Sequence, residues 1–268
     1  MEAPFREGTA TFQHAHFPQP AQTWYRVYGD LTVNTPLVVL HGGPGFCHNY
    51  LLPLADLAPT RAVILYGQIG NGRSTHYPEK RGDHAFWTVD LLISELENLL
   101  AYLGIAGDFD LLGHSWGGML GAFRAVDRLR ATLPQPVQET LKQCEDEGRL
   151  DSTEYADATM VFLSQFSCQV DPWPQELLDS LVWATEKDST VASTILKDWC
   201  VLDRLQAIQV LTLLINGRYD EAQNSTVEPF FWGIPKVKWV TLSESAHCPQ
   251  FDEPEKYLQV IADFLASS

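Results

Sequence analysis

The sequence predicts an α/β protein: an open, mostly parallel sheet with helices on both faces and an inserted helical region. Two features lead to this prediction. Short apolar runs alternate with longer segments of helical periodicity, and this alternation is interrupted between residues 131 and 197. Continuous apolar runs bounded by turn residues are typical of strands buried on both faces. Four such strands are predicted, at Leu37–Leu40, Ala62–Tyr66, Phe109–Leu112 and Val210–Ile215.

The other elements of the sheet and its helices follow from their periodicity. The chain is expected to form an antiparallel pair around Thr9–His14 and Thr23–Val27, and alternation in Val237–Leu242 predicts a strand nearer an edge. Apolar residues recur at helical spacing through Phe86–Leu103 and a glycine follows, so a helix is predicted there. Pro254 begins a final helix with one apolar face.

Between residues 131 and 200 the chain is rich in proline and tryptophan and shows no strand pattern. Three segments there have helical patterns, at residues 134–148, 151–166 and 171–186. This region is predicted to be a helical cap inserted into the α/β core. The predicted domains are therefore a core at residues 1–130 and 201–268, with the cap at residues 131–200.

The acidic composition narrows the range of partners. The 268 residues carry a formal net charge of -16 without any basic run, so nucleic acid is not an expected partner. No stretch of 18 apolar residues occurs, and no membrane span is expected. With 45% hydrophobic and 19% charged residues, the composition is that of a globular protein.

The cysteines and the first residues predict a cytoplasmic protein. The five cysteines are odd in number and form no Cys-x-x-Cys pair, which favours free thiols in a reducing compartment over a zinc site. Residues 1–17 lack the apolar core of a secretory signal.

The segment Gly113-His114-Ser115-Trp116-Gly117 matches G-x-S-x-G, directly after a predicted buried strand and before a helical pattern. A strand that turns sharply into a helix crowds the backbone, so small residues must flank the serine. Such a turn exposes the serine hydroxyl, which can then act as a nucleophile. The alternative is a serine that only caps a helix in a glycine-rich turn.

A serine nucleophile needs a base, and the base needs an acid that orients it. Asp220 and His247 each follow a predicted strand, and they come after the serine in the chain order expected for a serine on such a turn. Both lie beyond strand carboxyl ends, where open α/β sheets place their chemistry. Taken singly, Asp220 could be a turn residue and His247 a loop residue. Glu221 is an alternative acid, and Glu244 a weaker one.

The glycines of HGGPG (41–45), after the first predicted parallel strand, let backbone N–H groups approach a ligand. An acyl-transfer site must stabilise a developing oxyanion, and we expect the N–H groups of Gly43 and Trp116 to do so. A tight loop without catalytic use is the alternative. Apolar walls of a substrate pocket are predicted at Phe46, Trp173 and Trp183, with ordinary core packing as the alternative.

Five motifs are spread over nearly the whole chain outside the cap. They are HGGPG (41–45), YGQIGNGRS (66–74), GHSWGG (113–118), NGRYDEA (216–222) and SAHCPQFDEP (245–254). In combination they resemble the proline iminopeptidases of the α/β-hydrolase superfamily, especially their fungal relatives. The resemblance implies an α/β-hydrolase fold with Ser115 as nucleophile, Asp220 as orienting acid and His247 as base. It also implies a short-peptide or small-molecule substrate, through removal of an N-terminal residue, often proline, from short peptides or hydrolysis of amino-acid amides, without a metal or cofactor.

The sequence departs from the family pattern in the core and in the cap. The family usually has an aspartate directly before the residue equivalent to Gln68, and this chain has Gly67 there. The difference affects how well the loop of residues 66–74 is ordered more than the bond chemistry. No apolar strand follows the helix after Ser115, so the pattern allows for one missing core strand. The family's amine-recognising segment has no match. Four acidic cap residues could bind an ammonium, although solvated helix faces are the more ordinary explanation: Glu145, Glu154, Asp157 and Glu186.

Three functional hypotheses follow. The leading one is a serine hydrolase that cleaves an N-terminal prolyl or other aminoacyl residue, or a small amide, through an acyl-enzyme. Because the amine-recognising segment is shortened, the second is an esterase, lactonase or acyl-transfer enzyme acting on a small metabolite. The third is a catalytically inactive binding protein on the same fold, which a missing strand would favour.

Overall fold

The computed structural model divides into two compact units. One lies within Met1–Leu120 and Pro174–Trp199, and the other within Gly121–Trp173 and Cys200–Ser268. The residues described are 4–118, 133–146, 149, 152–166, 168, 170, 172–183, 205–206 and 208–267. The boundaries of core and cap remain a prediction.

The first unit is built on a five-stranded mixed sheet. Its strands are β1 (Phe5–Phe12), β2 (Ala21–Tyr28), β3 (Leu37–Leu40), β4 (Val63–Tyr66) and β5 (Asp110–Gly113). The spatial order is β1-β2-β4-β3-β5; β3 is parallel to β4 and β5, whereas β2 is antiparallel to β1 and β4. The predicted antiparallel pair and the three predicted parallel strands of this sheet are therefore confirmed. Strands β3 and β4 are buried as predicted, but the prediction of burial was wrong for β5, whose residues alternate between half-buried and exposed, with Leu111 exposed. Because β3 and β5 are adjacent and parallel, the loops that follow them lie at the same edge of the sheet.

The described α-helices confirm the helical predictions, including those for residues 131–200. They are α1 (Val89–Leu103), α2 (Gln135–Asp146), α3 (Thr153–Phe166), α4 (Gln175–Val182), α5 (Asn224–Gly233), α6 (Pro249–Asp252) and α7 (Pro254–Ala266). In the first unit α4 contacts a 3-10 helix at His48–Leu57. In the second unit α2 and α3 pack together through Leu133, Leu141 and Ala158.

Helix α1 packs on one face of the five-stranded sheet and begins later than predicted. The Thr88 hydroxyl accepts a hydrogen bond from the Leu91 N–H at 3.1 Å, so Thr88 is the N-cap and Phe86 precedes the helix. Gly104 ends the helix with a φ of 73°, in the left-handed conformation that glycine adopts without steric cost.

The second unit contains β6 (Thr212–Gly217) and β7 (Val237–Leu242), which pair in parallel. Helix α5 connects them and contacts both, which is the predicted strand–helix–strand arrangement. Strand β6 begins later than predicted, because its pairing with β7 starts only at Thr212. Val210 and Leu211 precede this pairing and are exposed. The prediction that a core strand is missing falls on residues 119–132, which lie outside the described part of the chain.

Candidate active site

Ser115 lies in a sharp turn at the carboxyl end of β5. Its φ is 54°, in the left-handed region that residues with a side chain rarely adopt, whereas His114 before it is extended. The flanking glycines make the turn possible. A Cβ on Gly113 would collide with the Gly117 carbonyl, and a Cβ on Gly117 would lie 2.6 Å from the carbonyl oxygen of Leu40. The G-x-S-x-G pattern thus produces a strained turn, and strain of this kind is concentrated at functional sites.

The glycine loop after β3 lies directly against Ser115. A Cβ built on Gly42 would be 2.9 Å from the Ser115 Cβ and 2.8 Å from the Tyr50 hydroxyl, so a larger residue would not fit. The Gly42 N–H donates to that hydroxyl at 2.7 Å. Gly43 is exposed, and its N–H has no acceptor among the residues described. The loop therefore offers a free donor at Gly43, where the oxyanion donor was predicted.

His41 orients the Gly43 N–H. The Nε2 atom of His41 accepts a hydrogen bond from the Gln68 N–H at 3.0 Å, so the ring proton must be on Nδ1. Nδ1 then donates to the Gly42 carbonyl at 3.0 Å. Complete burial lowers the pKa of His41 to about 4, and the ring is neutral at pH 7. The Gly42 carbonyl and the Gly43 N–H belong to one planar trans peptide. The hydrogen bond from His41 to this carbonyl therefore also fixes the direction of the Gly43 N–H.

Asp220 and His247 are in direct contact in the second unit. Asp220 follows β6 and His247 follows β7, and since these strands are adjacent and parallel, their loops meet at the same end. The His247 Nδ1–H donates to Asp220 Oδ1 at 2.8 Å, and the same oxygen accepts the Ala222 N–H at 2.8 Å. Asp220 is buried. An imidazole oriented by a buried carboxylate is what a serine nucleophile requires of its base and acid.

Hydrogen bonds fix the two loops that carry this pair. Asn216, buried in β6, donates to the Ala222 carbonyl at 3.1 Å, and its side-chain oxygen accepts the Trp239 indole N–H at 2.9 Å. The Tyr219 N–H donates to the Ser245 carbonyl at 2.9 Å, which connects one loop to the other. The position of the carboxylate relative to the imidazole is therefore determined by the strand pairing and not by flexible side chains alone.

A second carboxylate lies on the far side of the His247 ring. Glu221 Oε1 is 3.4 Å from His247 Nε2, so Glu221 does not replace Asp220 at Nδ1, and Glu244 is exposed. Burial alone would lower the pKa of His247, but the charges of Asp220 and Glu221 outweigh it and raise the pKa to about 9. Burial also raises the pKa of Glu221. At pH 7 this imidazole is mostly protonated, and it must lose a proton before it can act as a base.

The predicted pocket residues are divided between the two units. Phe46 packs edge-on against Tyr50, with ring centroids 5.6 Å apart, and Trp183 stacks on His76 at 5.8 Å, both in the first unit. Trp173, in the second unit, donates its indole N–H to a backbone carbonyl at 3.1 Å. Their role as walls of a substrate pocket remains a prediction.

Two of the four acidic cap residues have described side chains. Glu154 is exposed and lies 3.9 Å from Arg149, and Asp157 is exposed, as expected of solvated helix faces. The side chain of Glu145 and the whole of Glu186 lie outside the described residues.

The described ranges contain no group of three or more His, Cys, Asp or Glu residues that could hold a metal ion. No helix in these ranges is long and apolar enough to cross a membrane.

Burial raises the pKa of the Cys47 thiol to about 11, so this cysteine beside the glycine loop is inert as a nucleophile.

Comparison with known proteins identifies the family. Residues 37–260 match the model of the alpha/beta hydrolase family. The chain belongs to this family of hydrolases. It is 32% identical to a proline iminopeptidase from Heyndrickxia coagulans, an alignment that covers 87% of the chain and 91% of that protein. The predicted resemblance to proline iminopeptidases is therefore confirmed.

Solved structures show the same fold over almost the whole length. The crystal structure of VinJ is 40% identical, with a TM-score of 0.88 and coverage of 97% of this chain and 98% of that one. A proline iminopeptidase from Mycobacterium smegmatis is 32% identical, with a TM-score of 0.80 and the same coverage of both chains. The α/β-hydrolase fold predicted from the motifs is confirmed.

Helix α1 carries a buried acid, Glu95, that was not among the predicted functional residues. The Glu95 carboxylate accepts the Thr23 hydroxyl at 2.6 Å, and both its oxygens lie 3.0 Å from the Ile69 N–H. Complete burial raises the pKa of Glu95 to about 8. Its position was visible in the sequence, because Leu91, Glu95 and Leu99 are four residues apart on one buried helix face. Glu95 anchors the loop that begins at Gly67, where the family usually has an aspartate.

Proposed function

We propose that this hydrolase is a serine aminopeptidase that removes an N-terminal residue, proline foremost, from short peptides. Ser115 is the nucleophile, His247 the general base and then the general acid, and Asp220 the group that orients His247. The backbone N–H groups of Gly43 and Trp116 receive the oxyanion.

The turn at Ser115 is the observation that carries the proposal. A non-glycine residue in the left-handed region costs on the order of 1–3 kcal/mol, which a turn serving the fold alone would avoid by placing glycine there. Here the strained residue is a serine that contacts the glycine loop. The substrate class is supported by relatives named proline iminopeptidase that align over most of the chain.

The chemistry requires His247 Nε2 to reach the Ser115 hydroxyl. The serine oxygen attacks the scissile carbonyl carbon while its proton passes to Nε2, and the tetrahedral oxyanion accepts hydrogen bonds from the Gly43 and Trp116 N–H groups. Collapse breaks the C–N bond, and the imidazolium returns its proton to the departing amine. Water, deprotonated by the same imidazole, then attacks the acyl-enzyme and releases the free amino acid.

A panel of three substrates tests the proposal. We expect a free prolyl anilide to be cleaved faster than its N-blocked analogue, and a simple aryl ester reports on the hydrolytic machinery alone. Ser115→Ala should abolish turnover of all three, whereas the exposed Ser225→Ala in α5 should leave it unchanged. Turnover by Ser115→Ala at the normal rate would refute the assignment. Preference for the ester and the blocked anilide would refute the aminopeptidase but retain the serine hydrolase.

A further inference from the structure

Two buried side chains connect the glycine loop to the residues on either side of Ser115. The first is Tyr50, whose hydroxyl accepts the Gly42 N–H at 2.7 Å and forms a hydrogen bond with His114 Nδ1 at 2.9 Å. We call these contacts the Tyr50 bridge. It connects His114, the residue before Ser115, to Gly42, the residue before Gly43.

The second connection is made by Gln68, in the loop after β4. Its side-chain oxygen accepts the Trp116 indole N–H at 3.2 Å, and its side-chain NH₂ donates to the His41 carbonyl at 3.2 Å. The Gln68 backbone N–H donates to His41 Nε2, which sets the tautomer of that ring. We call these contacts the Gln68 bridge. It connects Trp116, the residue after Ser115, to His41, the residue that orients the Gly43 peptide.

We propose that Tyr50 and Gln68 are positioning residues that together fix the spacing between the Ser115 hydroxyl and the Gly43 N–H. This inference rests on the proposed function, in which Ser115 attacks and Gly43 stabilises the oxyanion. It goes beyond that function because neither residue contacts the reacting atoms.

The need for such bridges follows from the composition of the two loops. Glycine has the greatest backbone freedom of any residue and no side chain to pack, so a glycine-rich loop does not fix its own conformation. The Ser115 turn is strained and would relax if it were unsupported. Catalytic groups must be kept within a fraction of an ångström of the productive geometry, and that rigidity has to come from outside the glycines.

Burial supports this role. Tyr50 is 1% exposed and Gln68 is 2% exposed, so water does not compete for their polar atoms. Tyr50→Phe keeps the ring that packs against Phe46 but removes the acceptor of the Gly42 N–H. Gln68→Met keeps the length of the side chain but removes both of its hydrogen-bonding atoms.

The test measures steady-state kinetics of Tyr50→Phe and Gln68→Met on the aryl ester. We expect each change to lower kcat about 10- to 100-fold while KM changes less than about twofold, because misplaced groups weaken transition-state binding more than substrate binding. The control variant Tyr28→Phe loses a comparable buried polar group elsewhere in the first unit, a hydroxyl that accepts from Arg26. It should retain kcat.

A second measurement does not depend on activity. The Trp116 indole N–H should exchange slowly with solvent in the wild type and in Tyr50→Phe, and at least about tenfold faster in Gln68→Met. Unchanged exchange in Gln68→Met, or wild-type kcat in both bridge variants, would overturn the inference. If Ser115→Ala were fully active, the proposed function would fail instead, so the two failures are distinguishable.

Discussion

The protonation state of His247 leads to a specific expectation for Glu221→Gln. The imidazole lies between two carboxylates, with Asp220 at 2.8 Å from Nδ1 and Glu221 at 3.4 Å from Nε2. Together they raise the pKa of His247 from 6.5 to about 9 against the opposing effect of burial. At pH 7 only roughly one imidazole in a hundred is then neutral and able to accept the Ser115 proton.

Removing the Glu221 charge should make His247 a better base at neutral pH. An opposite charge within a few ångströms shifts a pKa by roughly 1–3 units, so the pKa of His247 should fall by at least about one unit in the variant. The neutral fraction at pH 7, and with it kcat/KM, should rise about tenfold or more. Asp220 still orients the ring, because its hydrogen bond to Nδ1 is not affected.

The assay is the pH dependence of kcat/KM for the aryl ester, from about pH 6 to about pH 10. The wild type should gain activity up to about pH 9, and Glu221→Gln should reach its plateau at lower pH. Glu228→Gln, which removes one exposed charge from α5, is the matched control and should follow the wild type. An identical rise in wild type and Glu221→Gln, or a wild-type plateau already at pH 7, would refute the reasoning.

Three further predictions concern stability. Burial raises the pKa of Glu95 from 4.5 to about 8, so the free energy of unfolding should fall as the pH rises from about 4.5 towards 8. In urea unfolding, Glu95→Gln should show a weaker dependence of this free energy on pH than the wild type. The same pH dependence in both proteins would contradict this. Gly117→Ala places a Cβ against the Leu40 carbonyl and should lower the free energy of unfolding by about 2 kcal/mol or more, whereas a loss below about 0.5 kcal/mol would show that the turn can widen. Thr88→Ala removes the N-cap of α1 and should cost about 1 kcal/mol in urea unfolding, with Thr88→Ser as the control that retains the bond to Leu91.

The sequence predicted those features that depend on local sterics and periodicity. The glycines at 113 and 117 reveal the serine turn, because no other residue type fits there, and the strand–helix–strand order places Asp220 and His247 in neighbouring loops. The ends of the predicted parallel strands β4, β5 and β6 shifted by one or two residues, since apolar residues such as Val210 and Leu211 continue a run beyond the hydrogen-bonded ladder. Strand β1 begins four residues earlier than predicted, at Phe5.

Features that depend on tertiary approach could not be predicted in this way. Tyr50 lies eight residues beyond Gly42 in a helix, and nothing in the local pattern shows that its hydroxyl returns to the glycine loop. The Glu221 carboxylate follows Asp220 directly, and only the turn geometry places it at Nε2 and not in solvent. Gln68 belongs to a motif shared with the family, but its two partners come from different loops.

The central claim is that Ser115 is a nucleophile activated by His247. Mass-spectrometric mapping of a fluorophosphonate probe tests it most directly. We expect one label per chain, on Ser115, formed at least about a hundredfold more slowly in His247→Gln and absent in Ser115→Ala. Failure of the wild type to react, or labelling of His247→Gln at the wild-type rate, would contradict the account.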